Sequence, residues 1–358
     1  MSQRFTQIFE ILCPIILGAV DFLMWVVTGI STGLTQGFSI QLSQYYGAKD
    51  FENLRKSLAH SYRLTAFIAA GVLILSQLFA SLVLTGLHSP SNIIGLSLLY
   101  LRIIFCGIPA TAAYNMFASA LRAMGNSKTP LTAMIIASVL NVSLDILFVA
   151  GFGWGVAGAA IATVIAQSFS AVYCFLILRR IDIVHLTKTD FMPASGMNAR
   201  LMKLGIPVVF QNIIIGVGGL VVQYVINGYG FLFVAGFTAT NKLYGLLEMA
   251  AISYGYAIVT YVGQNLGAEK IDRIRKGVRS SMLLSLLTSL IISAAMFLFG
   301  KNILSLFISG EPQQTQQVLA IAFKYLSIMA VSSKKRYLPT APCFVLMIFM
   351  HPYIIADA

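Results

Sequence analysis

"SQYYGAKDFENLRKSLAHS", residues 43–61, returns as "GQNLGAEKIDRIRKGVRSS", residues 263–281. Gln44 and Gln264, Gly47 and Gly267, Ala48 and Ala268, Arg55 and Arg275, Lys56 and Lys276, and Ser61 and Ser281 coincide at a constant offset of 220. Each copy leaves an apolar run at Gly-Ala and continues as a basic, amphipathic segment. Both copies cross to the same side in the same sense, so the repeat is parallel. It predicts two pseudo-symmetric helix bundles, an architecture common among secondary transporters.

The apolar runs around the repeat define the class. Of 358 residues, 58% are hydrophobic and 10% charged, against about 25% charged in soluble domains; the mean hydropathy is +0.84. Many runs reach the roughly 20 residues that span a bilayer as a helix. Backbone groups cannot be left unpaired in lipid, and the runs lack the alternation of a membrane β-barrel. The expectation is an all-α polytopic membrane protein. About nine spans are recognisable: 22–46, 64–87, 97–120, 130–150, 156–178, 204–228, 233–262, 281–307 and 318–332.

The net charge of +12 is distributed unevenly. Sixteen of the twenty-four Lys and Arg fall in four loops, Lys49–Arg63, Arg122–Lys128, Arg179–Lys203 and Lys270–Arg279. The alternate loops, "GLHSPSNIIG", "GFGWG", "NGYGF" and "FGKNI", are poor in charge. The positive-inside rule puts the first set in the cytoplasm. Span 22–46 then runs from outside to inside, and "IFEILCPIILGAV" before Asp21 is too short to be a comfortable preceding helix. The basic loops lack aromatic interleaving, which argues against nucleic acid and for anchoring at anionic lipid. No P-loop, nucleophile elbow or zinc motif is present, so neither direct ATP drive nor enzymatic chemistry is expected. The four Cys and four His are scattered.

The repeat also predicts segments that are not found. The counterpart of span 204–228 falls before residue 1. "YLSIMAV" (325–331) tracks "YLRIIFC" (100–106), after which the copies diverge. The expected division is an atypical 1–21 lacking the first helix, N-lobe helices over 22–180, a cytoplasmic loop over 181–203, partial C-lobe helices over 204–331, and an atypical, out-of-frame tail over 332–358. A chain truncated at both ends is the expectation.

Asp21, Asp145 and Glu248 are the acids that lie in or beside long apolar runs. An ionisable group there is costly and marks a functional position. Asp145 is the strongest. Asn141 lies one turn earlier on the same face. Across the "GFGWG" hairpin, Thr163 and Gln167 lie one turn apart on the next helix. Asp145 is about 9 Å and Thr163 about 12 Å from the hairpin along their helices, in the outer half of the membrane. Three oxygen donors of this kind suit a hard cation such as Na⁺, and a carboxyl group out of water also holds a proton more readily. The same three residues would equally serve as an interhelical hydrogen-bond network. The offset pairs Asp21 with Asn241 near an outer span end, where a solvated interfacial residue is ordinary. Glu248, Asn212, Gln223, Asn227 and Gln167 are candidate cleft-lining groups or interhelical bonds, and Tyr114, Met116, Phe117 and Tyr224 are candidate contacts for flat cations.

Taken together, "GFSIQLSQYYGAKD", "ALRAMGNSKTPLTAMIIASVLNVSLDILFV", "GVAGAAIATVIAQ", "LGIPVVFQNIIIGVGGLVVQYVING" and "YVGQNLGAEK" make the chain resemble the MATE (multidrug and toxic compound extrusion) transporters over residues 22–331. The resemblance implies twelve helices in two six-helix lobes around a cleft, of which this chain would hold the second to ninth and part of the tenth. It implies a bacterial inner-membrane antiporter without a cofactor, acting as a monomer and exporting organic cations in exchange for Na⁺ or H⁺. It also implies that Asn141, Asp145 and Thr163 match an N-lobe cation site, whose further aspartate, on the first helix, has no counterpart here. Two other readings stand beside it. A lipid-linked-sugar flippase of the same superfamily would need intramembrane cations, for which Arg102 is the candidate. A truncated chain would transport nothing.

Overall fold

The computed structural model describes residues 2–86, 94–229, 231–305 and 316–324, with side chains described from residue 24 onward. Every described element is helical: α1 (Ser2–Gly47), α2 (Phe51–Gly86), α3 (Ile94–Cys106), α4 (Ile108–Ala123), α5 (Lys128–Asp145), α6 (Gly155–Arg179), α7 (Met197–Asn227), α8 (Phe231–Gly267) and α9 (Ile271–Ser305), with a further helical stretch at 316–324. Four of the described helices are long and apolar enough to cross a membrane, or five if a bent pair counts as one span. Several run past the predicted spans. α1 begins twenty residues before 22, and the basic segments after Asp50 and Lys270 are continuous with α2 and α9.

The span expected at 97–120 is broken. α3 and α4 meet at Gly107 with a bend of 43°. Pro109 sits in the first turn of α4, where its missing N–H costs nothing but where it ends the α3 hydrogen-bond ladder. A Cβ at Gly107 would lie 2.8 Å from Val164, so the corner also needs glycine for the close passage of α6.

The repeat is reproduced bond for bond. After α1, Lys49 N–H donates to the Tyr46 carbonyl at 3.1 Å and Asp50 N–H to that of Tyr45 at 3.0 Å. After α8, Glu269 N–H donates to Leu266 at 3.0 Å and Lys270 N–H to Asn265 at 2.8 Å. This pair of bonds is the Schellman cap. Lys49 and Glu269 both take its left-handed position, at φ 59°.

The chain divides into two compact units. Of the described residues, one comprises those within Ala19–Leu220 and Gly263–Ile271; the other comprises those within Met1–Gly18, Val221–Val262 and Asp272–Ala358. In the first, Gly29, Gly33 and Gly37 make one stripe of α1. Cβ atoms there would lie 3.1 Å from Asn212 Cβ, 2.9 Å from the Val209 backbone and 2.3 Å from Gly205 Cα, so α1 and α7 pass antiparallel at backbone distance. The end of α8 belongs to the same unit and crosses the end of α1. A Cβ on Gly47 would lie 1.9 Å from the Gln264 carbonyl oxygen, and one on Gly267 would lie 1.9 Å from that of Gln44. Gln264 Nε2 also donates to the Ala123 carbonyl at 2.8 Å.

Large buried side chains cluster near the basic loops: Phe38 and Leu42 of α1, Leu54 and Leu58 of α2, Met116 and Leu121 of α4, Leu178 of α6 and Leu201 of α7. There water drives apolar burial. Deeper in the helices the contacts between α4, α5 and α6 are small, with Ala112, Ser119, Ala133, Ala137, Ala160, Ala162, Ala166 and Ser170 buried, because association in lipid rests on close packing rather than on hydrophobic expulsion. The 181–203 loop lies on α2. Arg63 Nη1 donates to the Phe191 carbonyl at 3.0 Å, His60 contacts Met192 O and Asn198 Oδ1, and Arg55 approaches Asp190 at 3.8 Å.

In the second unit, α8 packs on 316–324. Thr240 Oγ1 donates to the Ala322 carbonyl at 3.2 Å, and Gly236 lets Val318 and Ile321 approach. α9 is tied to α8 by a 2.8 Å contact between Tyr254 Oη and Thr288 Oγ1 and by Tyr261 Oη donating to Arg273 O at 3.0 Å.

Gly47→Ala is expected to destabilise the protein by about 1–3 kcal/mol or more, the cost of overpacking, and Gly267→Ala by a similar amount. Gly71, in α2 with open space around it, is the control: Gly71→Ala should gain about 0.5–1 kcal/mol. Thermal scanning of the three variants in one detergent checks this; equal melting temperatures would disprove the crossing.

Candidate functional site

α5 has two faces with different jobs. Leu131, Ile135, Val139, Val142 and Ile146 are exposed, the lipid-facing stripe of a span. Ala133 and Ala137 are buried, and the four-residue spacing carries that face on to Asn141 and Asp145. The small pair admits α6 closely, and Ser170 Oγ of α6 donates to the Ala133 carbonyl at 3.4 Å. Farther along, Asn141 Nδ2 donates to Thr163 Oγ1 at 3.4 Å, while the Thr163 hydroxyl donates to Ala159 O at 3.0 Å. The hairpin is therefore in an antiparallel register in which 133 faces 170 and 141 faces 163. Asp145, one turn nearer the hairpin, falls level with Ala159, which has no polar side chain to offer.

The Asp145 carboxylate reflects that register. Its Oδ1 is buried and has no hydrogen-bond partner. An unpaired buried oxygen is expensive, and it is the chemistry a cation or a proton would satisfy. One turn farther from the hairpin on the same face are Asn141 and Thr163, whose side-chain oxygens are of the neutral kind that a hard cation takes. The helix changes immediately after Asp145: Ile146–Gly151 form a π-helical turn, a local widening frequent at functional positions. The chain reverses through Gly153 at φ 70° and Gly155 at φ 55°, backbone angles open to glycine. Phe148, Phe152 and Trp154 stack beside the turn with centroids 5.1–5.9 Å apart, as aromatic residues do at membrane interfaces.

The other candidates separate. Gln167 is half-buried on α6. Asn212 is buried, and its Nδ2 donates to the Gly29 carbonyl at 3.0 Å, fastening α7 to α1. Gln223 is buried on α7. The side chains of Asp21, Asn227 and Glu248 lie outside the described residues. Met116 is buried in the core, while half-buried Phe117 packs edge-on against Tyr62 at 5.4 Å and half-buried Tyr114 reaches the Pro130 carbonyl through Oη at 3.5 Å; Tyr224 is exposed. Thr32 and Asn115, bonded at 3.2 Å, were not singled out in the sequence. Neither was the π turn, whose sole sequence signal is the glycine-rich hairpin. Among the described residues no three His, Cys, Asp or Glu side chains converge as metal ligands.

Known proteins share this arrangement of helices. The family model described as MatE matches residues 17–147 and 207–348. A Bacillus subtilis protein named probable multidrug resistance protein YoeA is 28% identical over 314 residues, covering 86% of this chain and 67% of its own. A second from B. subtilis, probable multidrug resistance protein YpnP, is 31% identical over 297 residues, covering 82% and 66%. The chain thus spans about two thirds of the length of these relatives. A solved MOP superfamily transporter from Pyrococcus furiosus superposes with a TM-score of 0.82 at 19% identity, covering 94% of this chain and 74% of that one, a likeness of fold.

If the unpaired oxygen of Asp145 is the cost of a binding site, Asp145→Leu should raise stability by about 1–3 kcal/mol. Asn141→Ala should cost about 0.6 kcal/mol, the average for an interhelical bond. Melting curves distinguish them; a lower melting point for Asp145→Leu would make the carboxylate a structural group.

Proposed function

Because this chain belongs to the MatE family of membrane transporters, we propose that it is a secondary antiporter exporting organic cations, drugs among them, in exchange for Na⁺ or H⁺. The observation that carries this reading is the buried, unpartnered Oδ1 of Asp145 beside the bonded pair Asn141 and Thr163. The names of the two Bacillus relatives support the substrate class. The setting is a bacterial cytoplasmic membrane and the acting unit a monomer.

In the proposed cycle, the cation or proton occupies Asp145, with Asn141 and Thr163 completing its shell. Occupancy removes the cost of the bare oxygen and favours whichever state holds α5 and α6 in this register. Export follows if that state is also the one with weak affinity for the organic cation, since coupling is a difference of free energies between two states. A π turn directly after Asp145 suits this role, because its hydrogen bonds can shift by one residue without breaking the helix. No organic cofactor enters the scheme.

Ethidium efflux from cells expressing the full chain tests the proposal. Efflux that needs an imposed Na⁺ or pH gradient and is lost in Asp145→Asn is the expected result. Efflux that survives the substitution overturns the site. No efflux from either chain, with both present in the membrane, overturns the transport function.

A further inference from the structure

Arg102 has no place in that cycle. It lies on α3, eight residues below the start of the helix at Ile94, about 12 Å along the axis. With the basic loops in the cytoplasm, α3 starts at the outer surface, which puts Arg102 in the outer leaflet. Its side chain is exposed in a groove of about 630 Å³ between α2 and α3. The walls are apolar: Leu73, Ile74 and Leu78 on α2, and Ile103 on α3, with Ile74 and Leu78 exposed. The floor is fixed, because Gln77 Nε2 donates to the Arg102 carbonyl at 2.8 Å and contacts Cys106 Sγ at 3.3 Å.

None of the ion pairs among the described residues involves Arg102. A guanidinium at that depth in hydrocarbon is costly unless it finds an anion or reaches the headgroups. The walls of this groove supply no anion, and lipid covers it. We propose that the α2–α3 groove is a binding site for an anionic phospholipid of the outer leaflet, with Arg102 holding the phosphate and Leu73, Ile74, Leu78 and Ile103 holding an acyl chain. The guanidinium fork matches two phosphate oxygens at once. The apolar walls select a lipid over a free phosphate, and the absence of an acid in the groove removes any partner for a choline headgroup. The site is separate from Asp145 and stands whatever ion the transporter uses.

Native mass spectrometry of the purified full chain, exposed to equal amounts of phosphatidylglycerol and phosphatidylcholine, tests it. Wild type should retain phosphatidylglycerol with about fivefold preference, the ratio expected for one basic group at an anionic surface. Arg102→Gln should bring that to parity. Leu78→Trp, which fills the groove and leaves the guanidinium intact, should also abolish the preference and covers the case in which Arg102→Gln fails to fold. An unchanged preference in either folded variant overturns the proposal. Displacement of the bound lipid by millimolar inorganic phosphate overturns it too, by showing a site for a free anion.

Discussion

The ends of α1 and α8 touch backbone to backbone, and much else depends on that contact. Gly47 faces the Gln264 carbonyl and Gly267 faces that of Gln44, so each copy of the repeat presents a glycine to the other. The chain must then turn sharply to let the basic segments diverge, and both turns use the same Schellman cap with a left-handed residue. A left-handed Lys or Glu costs about 1–2 kcal/mol relative to glycine. The geometry is kept in both copies despite that cost, which ties the cap to the crossing rather than to local preference. Further along, Gly29, Gly33 and Gly37 extend the same logic to α7. α1 is thus an axle on which other helices lie at the distance of their peptide planes.

A membrane inverts the usual account of a core. Large apolar side chains of α5 point outward, into a solvent as apolar as themselves, and gain little by meeting one another. Alanine, glycine and serine take the interior because dispersion contacts between closely spaced backbones favour association there. Many large buried residues lie near the basic loops, where Phe38, Leu54 and Leu121 escape water, and others, Leu84, Leu101 and Phe105, pack α2 and α3 away from them. This division sets where polar groups are tolerated. Asn141 and Thr163 sit where two small-residue faces have already excluded lipid, and each satisfies part of the other's hydrogen-bonding need.

Much of this was legible in the sequence. The offset of 220 predicted a structural repeat, and it is present down to individual hydrogen bonds. The apolar runs predicted helices, and counting turns from "GFGWG" set Asp145 at the depth of Thr163, whereas in the structure Asn141 meets Thr163 and Asp145 falls one turn nearer the hairpin. Other features escaped because pattern reading treats a span as a straight rod. The bend at Gly107 depends on Val164 passing close by, a contact between residues 57 apart in the chain. Met116 read as a candidate ligand contact because a thioether on a helix looks the same whether it faces a cleft or a core, and it is buried in the core. The stripe Gly29, Gly33, Gly37 has the G-x-x-x-G spacing of a helix-packing face and was not singled out in the sequence, where the three glycines are scattered through one apolar run.

The register of the α5–α6 hairpin gives the Asp145 position its meaning. Starting from Ser170 and Ala133, two turns lead to Asn141 with Thr163, and one turn more leads to 145 with 159. At two of these levels a hydroxyl or amide is answered by an oxygen. At the last, the carboxylate meets an alanine. A structural network would be expected to close at its strongest member, since an ionisable group gains most from a partner and loses most without one. Here the weak members are paired and the strong one is left open, at the point where the helix loosens into a π turn. That order of satisfaction fits a group whose partner comes and goes better than one whose task is to hold two helices together.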